Sequence, residues 1–435
     1  MRNFLLLFFL PVFPLFAQSV LSLREAIQLG LAYNFEVKIA RNEVEIARGS
    51  NTAGMAGFLP SASFSLNGSM QNSNISQRFA SGLVVDRPGV RGSGLNGGLQ
   101  VNWIFFDGGR MFIARKRLGR QLNAAELRLN NQLFAFADTV SAAYYQTVLS
   151  GLELRILQQS RKTAEERLRI AREQQQAGNR PASDAIQAQI DIHLLGNRIM
   201  AQEKQLEFRK GALNLLIGRE PDVDFLLSDS IALPEPVSYQ EVKKRVTERN
   251  PALRIQREGL EISRLGLKEI RSRSYPQIGL NMALNYQRSS NSAGFALFNR
   301  NLGPFAGLSL SLPLFNGVPV RQQLSLAERQ LNTEELRLNL AENRLMFQLW
   351  RVILNMETWL ESLKTEGSIQ DLAAKNLRLV QDRFRMGLAT GLDVRDAEVQ
   401  LENSKLRMQQ YRFQARLAGN QLLRLTAELN PEELK

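Results

Sequence analysis

The chain has 435 residues, no cysteine, one histidine and a formal net charge of +13. The lack of cysteine excludes disulfides and thiolate metal sites, and the single imidazole of His193 cannot build a zinc site. The positive charge suggests an anionic partner, but basic and acidic residues are interleaved on the helical stretches, as in Glu165 and Arg169, so we expect solvated helix faces and no nucleic-acid partner. No clustered acid–base or metal-ligating residues stand out, so neither an enzyme nor a cofactor is expected.

Residues 1–17 have the pattern of a secretory signal peptide. The apolar run Phe4–Leu10 is followed by Ala17 at a small-residue cleavage position. Pro11 and Pro14 interrupt the run, which leaves it shorter than the ~20 residues that a membrane-spanning helix needs. We therefore expect an exported chain that does not enter a membrane by helices.

Most of the remaining chain is predicted to be helical. Apolar residues recur at three- and four-residue steps, which is typical of amphipathic helices. The predicted helices cover 21–57, 110–177, 183–217, 239–274, 319–386 and 392–427. The two longest would each extend about 100 Å at 1.5 Å per residue, and helices of that length need packing partners.

The same order of sequence signals occurs twice along the chain. The pattern from Asn34 to Arg48 returns from Asn250 to Arg264, and each copy is followed by the same turn signals. We therefore predict an internal tandem repeat. The first repeat covers 18–218, a proline-rich surface linker in the equatorial region covers 219–237, and the second repeat covers 238–435.

Four segments alternate strictly between apolar and small polar residues and are predicted to be strands, at about 61–71, 95–106, 277–287 and 305–315. Their lengths approach the ~9 to 11 residues of a tilted membrane strand. The Gly/Ser/Asn-rich stretches 71–94 and 287–303 are predicted to be loops. Aromatic residues near the strand ends indicate a membrane-interface girdle, and they are Trp103, Phe105, Phe106, Tyr286 and Phe315.

Four such strands cannot close into a barrel alone, and lipid does not tolerate an open sheet edge. Two, three or four copies of the chain would give a barrel of eight to sixteen strands. The Ser/Asn/Gly face would then line a wet interior. A soluble antiparallel sheet would show the same alternation, but the helices already have apolar stripes of their own, so the membrane barrel is favoured.

In this combination of features the chain resembles the TolC-type outer-membrane efflux proteins, or outer membrane factors. The features are the signal sequence, the duplication, strands after Leu59-Pro60 and Tyr275-Pro276, a Phe-Asp/Asn-Gly return into each long helix, and a Gly-x-x-x-x-x-Asp turn. The resemblance covers essentially the whole mature chain. It implies a mainly α fold with a membrane β-barrel: a homotrimer with four transmembrane strands per protomer, a twelve-stranded barrel and a long α-helical coiled-coil barrel.

The resemblance also implies a function and a location. The chain would be a porin-like channel in the outer membrane of a two-membrane bacterium, in contact with lipid and with most of its length in the periplasm. It would passively conduct substrates from an inner-membrane pump, through a periplasmic adaptor (membrane fusion) protein, in tripartite efflux or type I secretion. The alternative is a periplasmic coiled-coil adaptor or scaffold without channel activity. Neither the substrate nor the pump class follows from the sequence.

In the family a constriction at the periplasmic tip is lined by acidic residues, and Asp393 and Asp396 match those two positions. Threefold symmetry would make two carboxylate rings that favour cations. For Asp393 a capping role at the helix start is an equal alternative, because its repeat mate Asp184 occupies the same place. The repeat mate of Asp396 is Gln187, so the turn itself does not require that carboxylate.

The resemblance places the contacts with the adaptor at the two helical tips. The residues there are Gly178, Asn179, Arg180, Gly387, Leu388 and Ala389. Ala389 departs from the family, which has a basic residue there that helps to latch the closed mouth. We expect Arg385 or Arg395 to substitute for it.

Overall fold

The computed structural model describes residues 20–227, 230–293, 296–314 and 319–428. The predicted signal peptide and Phe315 lie outside the described residues. The helices are α1 (Leu23–Tyr33), α2 (Phe35–Ser50), α3 (Arg110–Gln176), α4 (Ala182–Ile217), α5 (Tyr239–Arg249), α6 (Pro251–Ser272), α7 (Pro319–Arg385) and α8 (Gly391–Leu425). The strands are β1 (Val20–Leu21), β2 (Ser61–Arg78), β3 (Val84–Asp107), β4 (Leu226–Leu227), β5 (Gln277–Asn291) and β6 (Phe298–Ser311).

The chain divides into two compact units. The first contains the described residues of 1–41, 128–252 and 342–435, and the second contains those of 42–127 and 253–341. Each unit therefore combines segments from both predicted repeats. The repeat boundaries at 218 and 238 stay a prediction from the sequence.

The two long helices have the lengths that the sequence predicts. Helices α3 and α7 contain 67 residues each, and both end one residue before the predicted end. An interior proline would break the hydrogen-bond ladder, and the proline of α7 is its first residue, where no helical partner for an N–H is needed. Within the described residues, no helix combines the length and the apolar character needed to cross a membrane.

Two predicted helices are each interrupted by an asparagine. The helix predicted over 21–57 is two helices that end at Ser50, with Asn34 extended between them. The side chain of Asn34 accepts a 3.1 Å hydrogen bond from the amide of Val37 and so caps α2. Asn250 separates α5 from α6 because Pro251 disfavours helical backbone in the residue before it.

Strands β2, β3, β5 and β6 form one antiparallel sheet in that order. The register puts Leu99 beside Leu284 and Val101 beside Met282, and side chains opposite one another share a face. This face stays exposed within the described chain, and so do the outer edges of β2 and β6, which pair with no other described strand. Within the described residues, the sheet therefore has two open edges and an uncovered apolar face.

The strands are longer than predicted, and the predicted loops are shorter. Only residues 79–83 separate β2 from β3, whereas the sequence predicts a loop over 71–94. Pairing continues past the apolar alternation, for example between Asn72 and Arg91, because the ladder bonds join backbone groups whatever the side chains are. Strand β6 begins at Phe298, earlier than the predicted 305, for the same reason.

The core of the first unit lies among α1, α3 and α4. Tyr144 is buried there, and its hydroxyl donates a 3.0 Å hydrogen bond to the carbonyl of Leu21. Phe225 and Ile231, from the segment predicted as a surface linker, are also buried in this core. Proline and acidic residues indicate irregular backbone, but they do not prevent single apolar side chains from inserting between helices.

Candidate functional site

The two predicted tips are tight glycine turns of the same design. Gly178 and Gly387 both have left-handed backbone, with φ of 77° and 78°. In the first turn Asn179 donates to the carbonyl of Gln174, and in the second Leu388 donates to the carbonyl of Arg383. These are Schellman bonds, which satisfy the last carbonyls of α3 and α7.

Arg180 joins the first turn to the second. Its guanidinium donates to the carboxylate of Asp184 at 2.7 Å and to the carbonyls of Phe384 and Ala389. The guanidinium carbon also lies 3.9 Å from the centre of the Phe384 ring, and the Nε donates to Gln174. With its side chain only 7% exposed, Arg180 is a structural bridge between the two turns.

Asp393 belongs to a capping box at the start of α8. Its carboxylate accepts hydrogen bonds of 2.7 Å from the amide and 2.8 Å from the hydroxyl of Thr390, and that hydroxyl accepts from the amide of Asp393. The bond from the backbone of Thr390 is the main reason why the pKa of Asp393 is lowered. Asp184, its counterpart in the predicted repeat, accepts a hydrogen bond from Arg180 instead, so the two carboxylates have different partners.

Asp396 lies one turn further along α8 and is exposed. Its carboxylate makes no ion pair or hydrogen bond with the residues that the structure describes. Gln187, its counterpart in the predicted repeat, donates a 3.0 Å hydrogen bond to Asp191. The carboxylate of Asp396 is therefore free to meet an ion or another copy of the chain.

A buried charged cluster, which the sequence reasoning missed, lies further up the same helices. Arg167 donates to Asp191 at 2.8 Å and to the carbonyl of Gly391 at 3.2 Å, and its Nε lies 3.4 Å from a carboxylate oxygen of Glu398. Arg395 approaches Asp191 at 3.5 Å from the more exposed side. The side chains of Arg167 and Glu398 are 4% and 12% exposed.

Burial dominates the electrostatics of this cluster. It raises the pKa of Glu398 to about 7, against the opposing attraction of Arg167. The other carboxylate oxygen of Glu398 is buried without a hydrogen-bond partner among the described residues. Glu402 completes the cluster and is paired with Arg198 at 2.7 Å.

A signal for this cluster was present in the sequence. Arg167 stands between Ala164 and Ala171, which are both buried, so it interrupts an apolar stripe at helical spacing. A charged residue at a core position needs a buried counter-charge. The sequence could not show that Asp191 and Glu398 supply it.

The predicted girdle residues lie toward opposite ends of the sheet. Trp103 pairs with Leu280 near the helix-proximal end, and its indole N–H donates a 2.9 Å hydrogen bond to the carbonyl of Phe58. Phe105 and Phe106 follow at the end of β3 and are half exposed. Tyr286 lies on the same face as Trp103 but pairs with Leu302, towards the hairpin ends.

No group of His, Cys, Asp and Glu side chains suited to a metal ion occurs in the part of the chain that the structure describes. The buried cluster is accompanied by a cavity of about 180 Å³, lined by Arg167, Asp191, Arg198 and Glu398 among others. Its carboxylates are matched by arginines. The cluster is therefore suited to joining helices.

A family model described as outer membrane efflux protein matches residues 26–219 and 243–428. Among curated proteins, protein CyaE of Bordetella pertussis is 24% identical over 326 residues, 72% of this chain and 65% of that protein. The chain thus spans just under two thirds of the length of CyaE. The probable efflux pump outer membrane protein TtgC of Pseudomonas putida is 21% identical over 422 residues, 94% of this chain and 81% of TtgC.

Solved structures have the same fold. The outer-membrane channel OprN superposes with a TM-score of 0.76 at 15% identity, covering 93% of this chain and 89% of OprN. The outer membrane protein VceC of Vibrio cholerae superposes with a TM-score of 0.73 at 18% identity, covering 93% of this chain and 95% of VceC.

Proposed function

The chain belongs to the outer membrane efflux protein family, and we propose that three copies of it form one exit duct. The family confirms the resemblance inferred from the sequence, the location in the outer membrane with a large helical part in the periplasm, and the role as an efflux channel. The family and the fold are those of outer-membrane channels and not of enzymes.

The open sheet is the observation that supports the proposed trimer. Strands β2 and β6 are edges without a described partner, and the sheet has an uncovered apolar face. Backbone groups at such edges cannot stay unpaired in lipid. Pairing of β6 with β2 of a neighbouring copy satisfies both edges, and three copies give the twelve strands that the family resemblance implies.

The internal duplication is proposed on two grounds. Each half contains two short helices, two paired strands, one helix of 67 residues and one of about 35 residues, in the same order. The family model also matches two separate ranges of similar length. Duplication would explain why one protomer provides two hairpins of the same kind.

The efflux family works with a periplasmic adaptor and an inner-membrane pump. We propose that the adaptor contacts the two tips. At the second tip Leu388 is 64% exposed and offers an apolar contact, as does the neighbouring Met386. Arg180 would support this surface from beneath, because its guanidinium is engaged between the turns.

We propose that Asp396 lines the periplasmic constriction, with Asp393 at its edge. Asp396 is the better candidate, because its carboxylate is exposed and unpaired within the described chain. Asp393 is held by Thr390 in the capping box, which limits its reach towards an ion. The aromatic residues Trp103 and Tyr286 would mark the two membrane interfaces.

Single-channel conductance of the purified mature protein in a planar bilayer tests this function. The wild type is expected to show discrete, cation-preferring steps, and Asp396→Asn is expected to reduce the cation preference by removing one ring of charge. Glu361→Gln, which changes an exposed carboxylate on α7 that pairs with Lys364, is the matched control.

Two results would contradict the proposal. Folded oligomers without channel steps would favour the scaffold alternative. Channel steps whose selectivity is the same in Asp396→Asn and in the wild type would remove Asp396 from the conducting path.

A further inference from the structure

The hairpin ends of the sheet, opposite the ends that join the helices, are rich in arginine. The charged residues of the four strands are Arg78, Asp86, Arg87, Arg91, Asp107, Arg288 and Arg300. Asp107 is the last residue of β3, at the end that leads into α3. Asp86 is therefore the one acidic strand residue at the hairpin ends, against five arginines.

Two of these arginines lie opposite one another on the apolar face. In the register of β5 and β6, Tyr286 pairs with Leu302, and Arg288 pairs with Arg300 one step further towards the hairpin. Arg288 also pairs with Leu95 of β3. Because alternate residues share a face, both arginines continue the apolar row of Leu284 and Tyr286.

No carboxylate of the described chain forms an ion pair with Arg288 or Arg300. Their recorded contacts are with rings: Arg288 lies 5.5 Å from the centre of Phe298, and Arg300 lies 5.7 Å from the centre of Tyr286. Both side chains are exposed. Like charges directly opposite in a sheet are destabilising, so a bound anion would relieve this pair.

The arginines lie at the height expected of lipid headgroups. From Leu280, beside Trp103, to Arg288 the strand advances roughly 27 Å at ~3.4 Å per residue. A strand tilt of ~40° reduces this to about 20 Å, close to the ~25 Å apolar band of outer-membrane barrels. Trp103 then marks one interface, and Arg288 with Arg300 marks the other.

We propose that Arg288 and Arg300 bind a phosphate group of a lipid headgroup in the outer leaflet. Two guanidinium forks can hold one phosphate by charge-assisted, bidentate hydrogen bonds, and the acyl chains would lie along Leu284 and Leu302. This inference rests on the proposed placement of the strands in the outer membrane. It does not depend on what passes through the duct.

A depression beside the arginine pair can take the rest of the headgroup. It has a volume of about 530 Å³ and lies at the hairpin ends, and its lining residues on the face of Arg288 include Asn72, Arg91, Ser93 and Ser290. Hydroxyl, amide and guanidinium groups suit an anionic headgroup with further polar substituents. None of its lining residues is acidic.

Native mass spectrometry of the purified full chain in detergent tests the site. The probes are dioleoyl phosphatidic acid, dioleoylglycerol as its phosphate-free counterpart, and glycerol 3-phosphate as a soluble phosphate. Wild type is expected to retain phosphatidic acid selectively. Arg288→Gln/Arg300→Gln is expected to bind it on the order of tenfold to thirtyfold more weakly, from the contribution of each basic residue at a lipid surface.

The matched control is Arg264→Gln/Arg337→Gln, which removes two exposed arginines from α6 and α7 of the same unit. It is expected to bind phosphatidic acid like wild type. If the glutamine pair of substitutions prevents folding, as judged by circular dichroism, Arg288→Lys/Arg300→Lys decides. That variant keeps the charge but loses the fork geometry, so several-fold weaker binding is expected and wild-type affinity would overturn the site.

Three other outcomes would overturn the proposal: equal binding of phosphatidic acid and dioleoylglycerol, unchanged binding in the glutamine variant, or glycerol 3-phosphate binding as tightly as the lipid. Conductance measured on the same samples separates this site from the proposed function. If the glutamine variant loses its selectivity for phosphatidic acid but keeps normal channel steps, the result supports the lipid site and leaves the duct intact. If the wild type retains phosphatidic acid selectively but shows no channel steps, the result would contradict the proposed duct and leave the lipid site supported.

Discussion

The side chain of Arg180 makes hydrogen bonds outside its own turn. Ala389 stands where the resembling family has a basic residue, and the sequence predicts that Arg385 or Arg395 replaces it. In the structure Arg180, from the other turn, reaches the carbonyls of Ala389 and Phe384. A backbone carbonyl accepts this bond whatever the side chain is, so alanine at 389 is compatible with it.

Burial controls the charge state of Glu398. Its pKa is about 7 in the folded chain, against an ordinary value of 4.5. The folded state therefore binds the proton more tightly than the unfolded state does. The stability that this gives is complete below pH 4.5 and is lost as the pH rises to about 7.

We predict that Glu398→Gln removes this pH dependence. The thermal midpoints of the variant and wild type are expected to differ little at pH 5, and the variant is expected to be the more stable at pH 8, by on the order of 3 kcal/mol at most. Midpoints measured from pH 4.5 to 8 check this. A difference that is constant with pH would contradict the linkage, and Glu361→Gln, an exposed carboxylate on α7, is expected to follow wild type.

Among the secondary-structure elements, the long helices are confirmed almost to the residue and the strands are less accurately predicted. Helix α3 has uninterrupted apolar periodicity and ends at a glycine, and both signals are local. Strand β2 continues from Met70 to Arg78 without apolar alternation, held by pairing with β3. That pairing depends on a partner strand, which local periodicity does not contain.

The turn that ends α7 gives a prediction for a helix terminus. Gly387 has φ of 78° and nothing within 4 Å of an added Cβ, so Gly387→Ala is expected to cost about 1–2 kcal/mol from backbone strain alone. Gly151→Ala, inside α3 and equally free of close contacts, is expected to stabilise the chain by about 0.5–1 kcal/mol. Hydrogen exchange of the tip amides and thermal midpoints measure the two effects. An unchanged tip in Gly387→Ala would refute the strain argument.

At the level of the whole molecule, the four-stranded sheet requires neighbours. The helices of each unit contribute to a cluster of buried apolar residues, whereas the apolar face of the sheet is uncovered and both of its edges are unpaired within the described residues. An apolar face of this kind suits lipid, where the backbone groups at the sheet edges must be paired. The proposed assembly of three copies therefore rests on the strands more than on the helices.

We predict that the detergent-solubilised protein has three times the mass of one chain. Light scattering with the detergent contribution subtracted measures this mass, and the same sample unfolded in guanidinium gives the single-chain reference. A monomer or a dimer that still conducts ions would contradict the trimer. Its sheet would then have to close in another way.

The positions of the long helices, the alternating strands and the glycine turns could all be read from the sequence, because periodicity and turn chemistry act over a few neighbouring residues. The family could be recognised for the same reason, because the order of such local patterns along the chain is what the family members share. Only the tertiary structure decided that Arg167 meets Asp191 and Glu398, that Arg180 bridges two turns, and that Arg288 lies opposite Arg300. Most of these contacts join separate elements, and even the Arg288–Arg300 pairing depends on hairpin register, so packing and strand pairing determine them.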